Sequence, residues 1–122
     1  MTIFDCRATA SGPGITIEMN ATGNLYSFVG ATQILLTGGQ PALNTWSHIA
    51  LARVGSTVTL YLNGTSPASG SHASVSTAIT DTNYLIGTYY GSLTDVTNNR
   101  FQGYIDELRV TPGAARYTSN FT

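Results

Sequence analysis

The segment from residue 45 to residue 64 constrains this chain's fold most strongly, because it reads as two β-strands joined by a tight turn. From Thr57 to Leu62 aliphatic side chains alternate with Thr and Tyr, so one strand face is oily and the other carries hydroxyls. Gly55-Ser56 supplies a first central residue that tolerates positive φ, as a two-residue type I′ or II′ hairpin turn requires. Asn63-Gly64 predicts a second tight turn. The segment therefore predicts an antiparallel hairpin that covers a core on one side.

The first strand of this hairpin is predicted to run from Thr45 to Val54. Neither of its faces is purely polar, which favours a central position in a sheet. Trp46 and His48 fall on the same face of that strand. Because no second His or Cys stands nearby to complete a zinc set, we interpret His48 as a core or subsurface residue and not as a metal ligand.

The rest of the chain predicts further short strands separated by Gly, Asn, Pro and Ser turns. Residues 65–76 predict a surface excursion with one short strand at Ala73–Val75, and Ala114–Tyr117 predicts one helical turn. No stretch of ten residues or more shows the helical apolar period. We therefore predict one domain, residues 1–122, with an all-β sandwich fold of two antiparallel sheets. The other predicted strands are Thr2–Arg7, Ile15–Met19, Leu25–Val29, Gln33–Thr37, Tyr84–Tyr90 and Phe101–Val110.

Charge is scarce in this sequence. Charged residues make up 9% of the chain, and the formal net charge is −1. Without a basic patch we expect neither nucleic acid nor membrane as a partner. So uncharged a surface suggests a chain packed in an assembly, although an ordinary Thr-rich β-protein is the alternative. Cys6 is the only cysteine, so no internal disulfide can form, and we expect it to be a buried small residue.

Two blocks of the sequence carry a family resemblance. The first is Trp46-x-His48-hydrophobic-Ala-x-x-Arg followed by Leu-Tyr-Leu-Asn-Gly, and the second is the Gly-Tyr-Ile-Asp-Glu-Leu-Arg-Val run that ends at Val110. Together they resemble the laminin-G-like and pentraxin-like domains of the concanavalin-A-like lectin and glucanase superfamily. The tail at Ala115–Thr122 is similar to the tail of such domains in phage and prophage virion proteins. The resemblance implies a jelly-roll β-sandwich.

One departure from the family concerns the first strand. Such domains usually open with an aromatic-rich strand ahead of a segment like Phe4–Arg7, and this chain begins after that point. An unpaired sheet edge is a template for another chain. We therefore expect a neighbouring subunit or a rearranged terminus to complete the sheet, the alternative being a smaller sandwich that does not need the strand.

The sequence lacks the catalytic pattern of the family's glucanases. Those enzymes carry Glu-x-Asp-x-x-Glu on one strand, whereas the only glutamates here, Glu18 and Glu107, stand on different predicted strands. We therefore expect no enzymatic activity. Asp106 and Glu107 could contact a metal or a sugar, but we favour a structural reading in which they accept backbone N–H groups or pair with arginines.

Aromatic and amide side chains converge in sequence near residue 90, as sugar recognition requires. The predicted carbohydrate-binding residues are Tyr89, Tyr90, Asp95, Asn98 and Asn99. Tyrosines in strands are more often packing residues with a wet hydroxyl, which is the alternative reading. The oxygens of Asp95, Asn98 and Asn99, with Asp81, would be the candidates for Ca²⁺, but no dense acidic motif is present, so we predict no metal and no cofactor.

The resemblance, together with these observations, implies a non-enzymatic structural or adhesive module of a phage virion, as a capsid decoration or tail-associated protein with weak glycan binding. Its expected partners are other virion subunits, copies of itself and cell-surface glycans. The alternative is a carbohydrate-binding lectin module of a larger secreted protein, which would be extracellular. A degenerate glucanase is a third possibility, and any hydrolysis product would support it.

Overall fold

The structure is a computed structural model that describes residues 1–7, 14–29, 32–35, 39–71, 83–90 and 99–122. Those ranges contain eight β-strands. No helix within them has the length and hydropathy needed to cross a membrane. The strands are β1 (Thr2–Asp5), β2 (Ile15–Met19), β3 (Leu25–Val29), β4 (Thr32–Leu35), β5 (Ile49–Val54), β6 (Thr57–Leu62), β7 (Thr65–Ser71) and β8 (Leu85–Ile86).

The strands form two antiparallel sheets that pack face to face. One sheet has five strands in the order β4-β3-β2-β1-β8, and the other has three in the order β5-β6-β7. The core between them joins Ile3 and Leu25 of the first sheet to Leu60 of the second, with Val29 and Val58 in a neighbouring cluster. This arrangement confirms the predicted all-β sandwich of two antiparallel sheets.

The central hairpin forms as predicted. Gly55 has φ 58, and Val54 pairs with Thr57 across the two-residue turn. At the next turn Asn63 and Gly64 both have positive φ, 50 and 78, which is the signature of a type I′ turn. The alternation is also correct, because Val58 and Leu60 are fully buried in the core clusters.

The start of β5 differs from the prediction. The strand begins at Ile49 and not at Thr45, after a turn in which Asn44 has φ 56. Trp46 is 69% exposed. His48 is exposed, so its interpretation as a core or subsurface residue is wrong. Its backbone explains its position, because His48 N–H donates to Asn63 Oδ1 at 2.8 Å and its carbonyl accepts Asn63 N–H.

The hairpin of β2 and β3 has the predicted bounds. Ile15, Ile17 and Met19 face the core, as expected from their alternation. Asn20 closes the turn, because its Oδ1 accepts N–H groups from Thr22 and Asn24 at 3.0 and 2.9 Å. Cys6 is buried, as predicted, and its Sγ accepts Ile15 N–H at 3.1 Å.

Two further predicted elements differ from the structure. The surface excursion after Gly64 is wrong, since Thr65–Ser71 forms β7 at a sheet edge, where Pro67 is tolerated. The short strand predicted at Ala73–Val75 lies outside the described residues. The strand predicted at Tyr84–Tyr90 is shorter in the structure, Leu85–Ile86, because the chain turns at Gly87, which has φ 73. Gly87 N–H donates a hydrogen bond to Ile3 O, and its carbonyl accepts one from Phe101 N–H.

The largest correction concerns the late part of the chain. Phe101–Val110 is not a strand, and Ala114–Tyr117 makes no helical turn. Phe101 packs against the core, but Glu107 has φ 53, which breaks an extended backbone. No described strand lies alongside residues 102–110 to hold them extended.

Candidate binding site

The outer face of the three-stranded sheet carries small side chains. Ala52 lies opposite Thr59, and Val54 lies opposite Thr57, all on the face turned away from the core. Small and hydroxyl-bearing residues at neighbouring positions leave a depression in this face. The same alternation that builds the core therefore also builds a polar and methyl-lined floor outside it.

The C-terminal tail, residues 117–122, packs beside this floor. Phe121 N–H donates to Gly64 O at 2.9 Å, and Ser66 N–H donates to Asn120 Oδ1 at 3.0 Å. A Cβ on Gly64 would overlap the carbonyl oxygen of Phe121, so only glycine fits at that position. The type I′ turn thus serves two purposes, since its second residue reverses the chain and also receives the tail.

Aromatic rings fix the tail against the sheet. The rings of Tyr117 and Phe121 stack at 3.6 Å with an interplanar angle of 12°. Tyr61, on the outer face of β6, contacts both at 6.2 and 5.4 Å and is only 2% exposed. The His48 ring meets Tyr117 and Phe121 edge-on. Such ring pairs add stability beyond the area that they bury.

Between the outer face of the three-stranded sheet and the tail lies a cavity of about 300 Å³ that is open to solvent. Its deep end is formed by Tyr61 and Ala52, which are buried, and its outer end by Val54 and Thr57, which are exposed. No charged side chain among the described residues lines it, so this lining suits a neutral ligand with both hydroxyl groups and an apolar face. The lining residues are Ala52, Val54, Thr57, Thr59, Tyr61, Tyr117 and Thr118.

A charged cluster occupies the outer face of the five-stranded sheet. The carboxylate of Asp5, which is 0% exposed, accepts two hydrogen bonds from the Arg7 guanidinium at 3.0 and 2.8 Å. Tyr90 N–H donates to the same carboxylate at 3.0 Å. Burial raises the pKa of Asp5, but the hydrogen bonds from Arg7 and Tyr90 and the positive charge outweigh it, so this pKa lies below its ordinary value. Asp5 is therefore ionised at neutral pH.

Arg7 also joins Asp5 to a second carboxylate. Its guanidinium lies 3.5 Å from Glu18, and the Tyr26 hydroxyl donates to Glu18 at 2.5 Å. The hydrogen bond from Arg7 to Asp5 raises the pKa of Arg7. Burial raises the pKa of Tyr26, and its hydrogen bond to Glu18 raises it further. The cluster thus links Asp5 of β1 and the following Arg7 to Glu18 of β2 and Tyr26 of β3.

The predicted carbohydrate-binding residues are placed only in part. Tyr89, Tyr90 and Asn99 are half-buried, whereas Asp95 and Asn98 lie outside the described residues, as does Asp81. The Asn99 carbonyl accepts Thr2 N–H at 2.9 Å, so its backbone is part of the sheet edge. The neighbouring Thr88 hydroxyl is buried and finds no hydrogen-bond partner among the described residues. This group of residues therefore stays a predicted site.

Asp106 and Glu107 are exposed. The Asp106 carboxylate accepts Glu107 N–H at 2.9 Å, which agrees with the structural reading of backbone N–H acceptance. Within the described ranges no three His, Cys, Asp or Glu side chains come together in a way that could hold a metal ion.

Sequence reasoning missed both the cavity and the charged cluster. The cluster had a signal, because Asp5 and Arg7 stand two apart, and a hairpin of β2 and β3 places Glu18 opposite Tyr26. The tail had a weaker one, the spacing of Tyr117 and Phe121. Nothing local to the tail indicates that it returns to Gly64.

Comparison with known proteins identifies the family. A laminin G family profile, described as the concanavalin A-like lectin/glucanases superfamily, matches residues 1–116. The chain belongs to this superfamily. Sequence and structure therefore agree on a concanavalin A-like sandwich. The match to the family profile ends immediately before Tyr117. No curated protein sequence matches the chain.

A solved structure is also similar to this concanavalin A-like domain. It is the crystal structure of an S-layer domain-containing protein from Clostridium thermocellum ATCC 27405, with 21% sequence identity and a TM-score of 0.46. The alignment covers 100% of this chain and 58% of that one.

Proposed function

We propose that this concanavalin A-like domain is a non-enzymatic adhesive module that binds a neutral glycan in the cavity between β5, β6 and the tail. The single observation that carries the proposal is the composition of that cavity, in which two tyrosine rings stand beside threonine hydroxyls and alanine and valine methyl groups. The resemblance of the tail to those of phage virion proteins favours a place on the outside of a virion.

The cavity chemistry matches a sugar ring better than a charged metabolite. A pyranose presents hydroxyls at its rim and C–H groups on its faces. Thr59 and Thr118 offer hydroxyl donors and acceptors, and the half-buried Tyr117 ring offers an aromatic surface. The volume is at the lower end of the roughly 300–1,000 Å³ of small-molecule sites, which fits one sugar unit held weakly.

The charged cluster supports a role without catalysis. A glycosidase needs one protonated carboxyl with a raised pKa beside an ionised one. Here both carboxylates of the cluster contact Arg7, and the pKa of Asp5 is lowered by its hydrogen bonds despite burial. Asp5 would therefore be a poor general acid at neutral pH.

The scarcity of charge supports a location in an assembly. With 9% charged residues, the surface has little to repel neighbouring subunits. The same cavity would also serve a lectin module of a larger secreted protein, which is the alternative. Detection of the chain in purified virions separates the two locations.

The test begins with a glycan array, followed by calorimetric titration of any ligand found. We expect binding to be lost in Tyr117→Ala and retained in Tyr117→Phe, because phenylalanine keeps the ring that forms the wall. Tyr89→Ala is the matched control, since it probes the site predicted from sequence. Loss of binding in Tyr89→Ala with normal binding in Tyr117→Ala would move the site to residues 89–99, and no binding to any glycan would contradict the proposal.

A further inference from the structure

Residues 102–110, which we call the unpaired segment, expose both backbone and apolar side chains. Their backbone groups make no backbone hydrogen bond to another described residue. Tyr104 is 87% exposed, and Ile105, Leu108 and Val110 are also exposed. A second β-strand can pair with a stretch that pairs with no described strand and exposes apolar side chains.

The unpaired segment is not a frayed chain end. It leaves the domain at Phe101, whose ring packs on the core and whose N–H donates to Gly87 O. The chain returns at Tyr117, which stacks on Phe121 and contacts Tyr61. Anchors on both sides hold the segment against the domain and limit how far it can move, which lowers the entropic cost of pairing it.

The backbone of Glu107 interrupts an extended conformation in the unpaired segment. Glu107 has φ 53, in the left-handed region that is uncommon for residues other than Gly, Asn and Asp. The local hydrogen bond from Glu107 N–H to the Asp106 carboxylate accompanies this conformation. A partner strand that rotates Glu107 back to negative φ would relieve this strain.

We propose that the unpaired segment pairs antiparallel with the same segment of a second copy of this chain, around a twofold axis at Leu108. The sequence is self-complementary in that register. Glu107 of each copy lies opposite Arg109 of the other, which gives two cross-strand pairs of opposite charge on one face. The other face brings the two Leu108 side chains together.

The flanking sequence fits the same register. Pro112, two residues beyond the unpaired segment, falls opposite Tyr104, and because proline has no backbone N–H, it ends the ladder there. Such an interface is isologous and closes at two copies, so it yields a dimer and not a fibre. The pairing is independent of the cavity and of any glycan.

Charge reversal tests the register directly. Sedimentation is measured across a dilution series for the wild type, Glu107→Arg, Arg109→Glu and the double variant. Arg116→Glu is the control, because it makes the same charge change as Arg109→Glu outside the unpaired segment. Each single variant places like charges opposite each other twice, and we expect about a tenfold or greater rise in the dimer dissociation constant. The double variant restores both pairs and the wild-type constant.

A second test mixes the two single variants. An equimolar mixture of Glu107→Arg and Arg109→Glu is expected to form a 1:1 heterodimer, because one carries two positive side chains and the other two negative ones. Hydrogen exchange of residues 103–111 should slow as the concentration rises. A wild type that sediments as a monomer throughout, or a dimer that all variants leave equally stable, would overturn the proposal.

Discussion

The carbonyl oxygen of Phe121 occupies the space in which a side chain on Gly64 would lie. This relationship ties the last residues of the chain to the turn between β6 and β7. Without it, Tyr117 has no fixed place beside Tyr61, and the cavity loses one wall.

Replacement of Gly64 by alanine is expected to displace the tail. At φ 78 the alanine costs about 1–2 kcal/mol from backbone strain alone, and the clash with Phe121 adds to it. Gly55→Ala is the matched control, since Gly55 also has positive φ but has no atom near its Cβ position. Hydrogen exchange of residues 117–122 should speed up in Gly64→Ala only. Equal exchange in both variants would mean that the tail is not held by this contact.

Replacement of Asp5 by asparagine is expected to destabilise the domain and to change its response to acid. Loss of one partner from a buried ion pair costs about 3 kcal/mol at neutral pH. The lowered pKa of Asp5 means that its stabilisation is present above the ordinary aspartate pKa of about 3.9 and is lost as the pH falls through the folded value.

Denaturant unfolding at neutral and acid pH checks this expectation. The wild type should lose stability on acidification more steeply than Asp5→Asn. Asp106→Asn is the control, because Asp106 is exposed and asparagine can still accept Glu107 N–H. If Asp5→Asn and the wild type lose stability in parallel, the Arg7 pair does not set the acid response.

Removal of one hydroxyl from the cavity floor is expected to weaken glycan binding. Thr59→Val keeps the shape of the side chain but deletes a donor and acceptor, and one hydrogen bond is worth about 0.5–1.5 kcal/mol, or roughly twofold to twelvefold in affinity. Thr65→Val is the control, since Thr65 is exposed and lies outside the cavity. Calorimetric titration measures both, and equal affinities would remove Thr59 from the site.

The hairpins could be predicted from sequence because their signals are local. Strict alternation and turn residues with positive φ determine β2, β3 and the two turns around β6. The strand β7 was missed because its Ser, Ala, Gly and Pro residues have no apolar alternation. It forms because the type I′ turn at Asn63-Gly64 returns the chain alongside β6.

The prediction of a strand at Phe101–Val110 is wrong for a different reason. The stretch from Phe101 to Val110 has the composition of a strand, but a strand also needs a neighbour for its hydrogen bonds, and none of the described strands provides one. The cavity could not be predicted either, because it depends on contacts between Tyr61 and a tail more than fifty residues away. Residue types near Tyr89 and Tyr90 predict a sugar site there, which stays a prediction beside the proposed site at the tail.

The most direct measurement is an amide chemical-shift titration of the labelled domain with the best glycan from the array. We predict that the shifts concentrate at Thr57, Thr59, Tyr117 and Thr118, on the outer face of β6 and in the tail. Shifts confined to Tyr89, Tyr90 and Asn99 would contradict a binding site built by the tail.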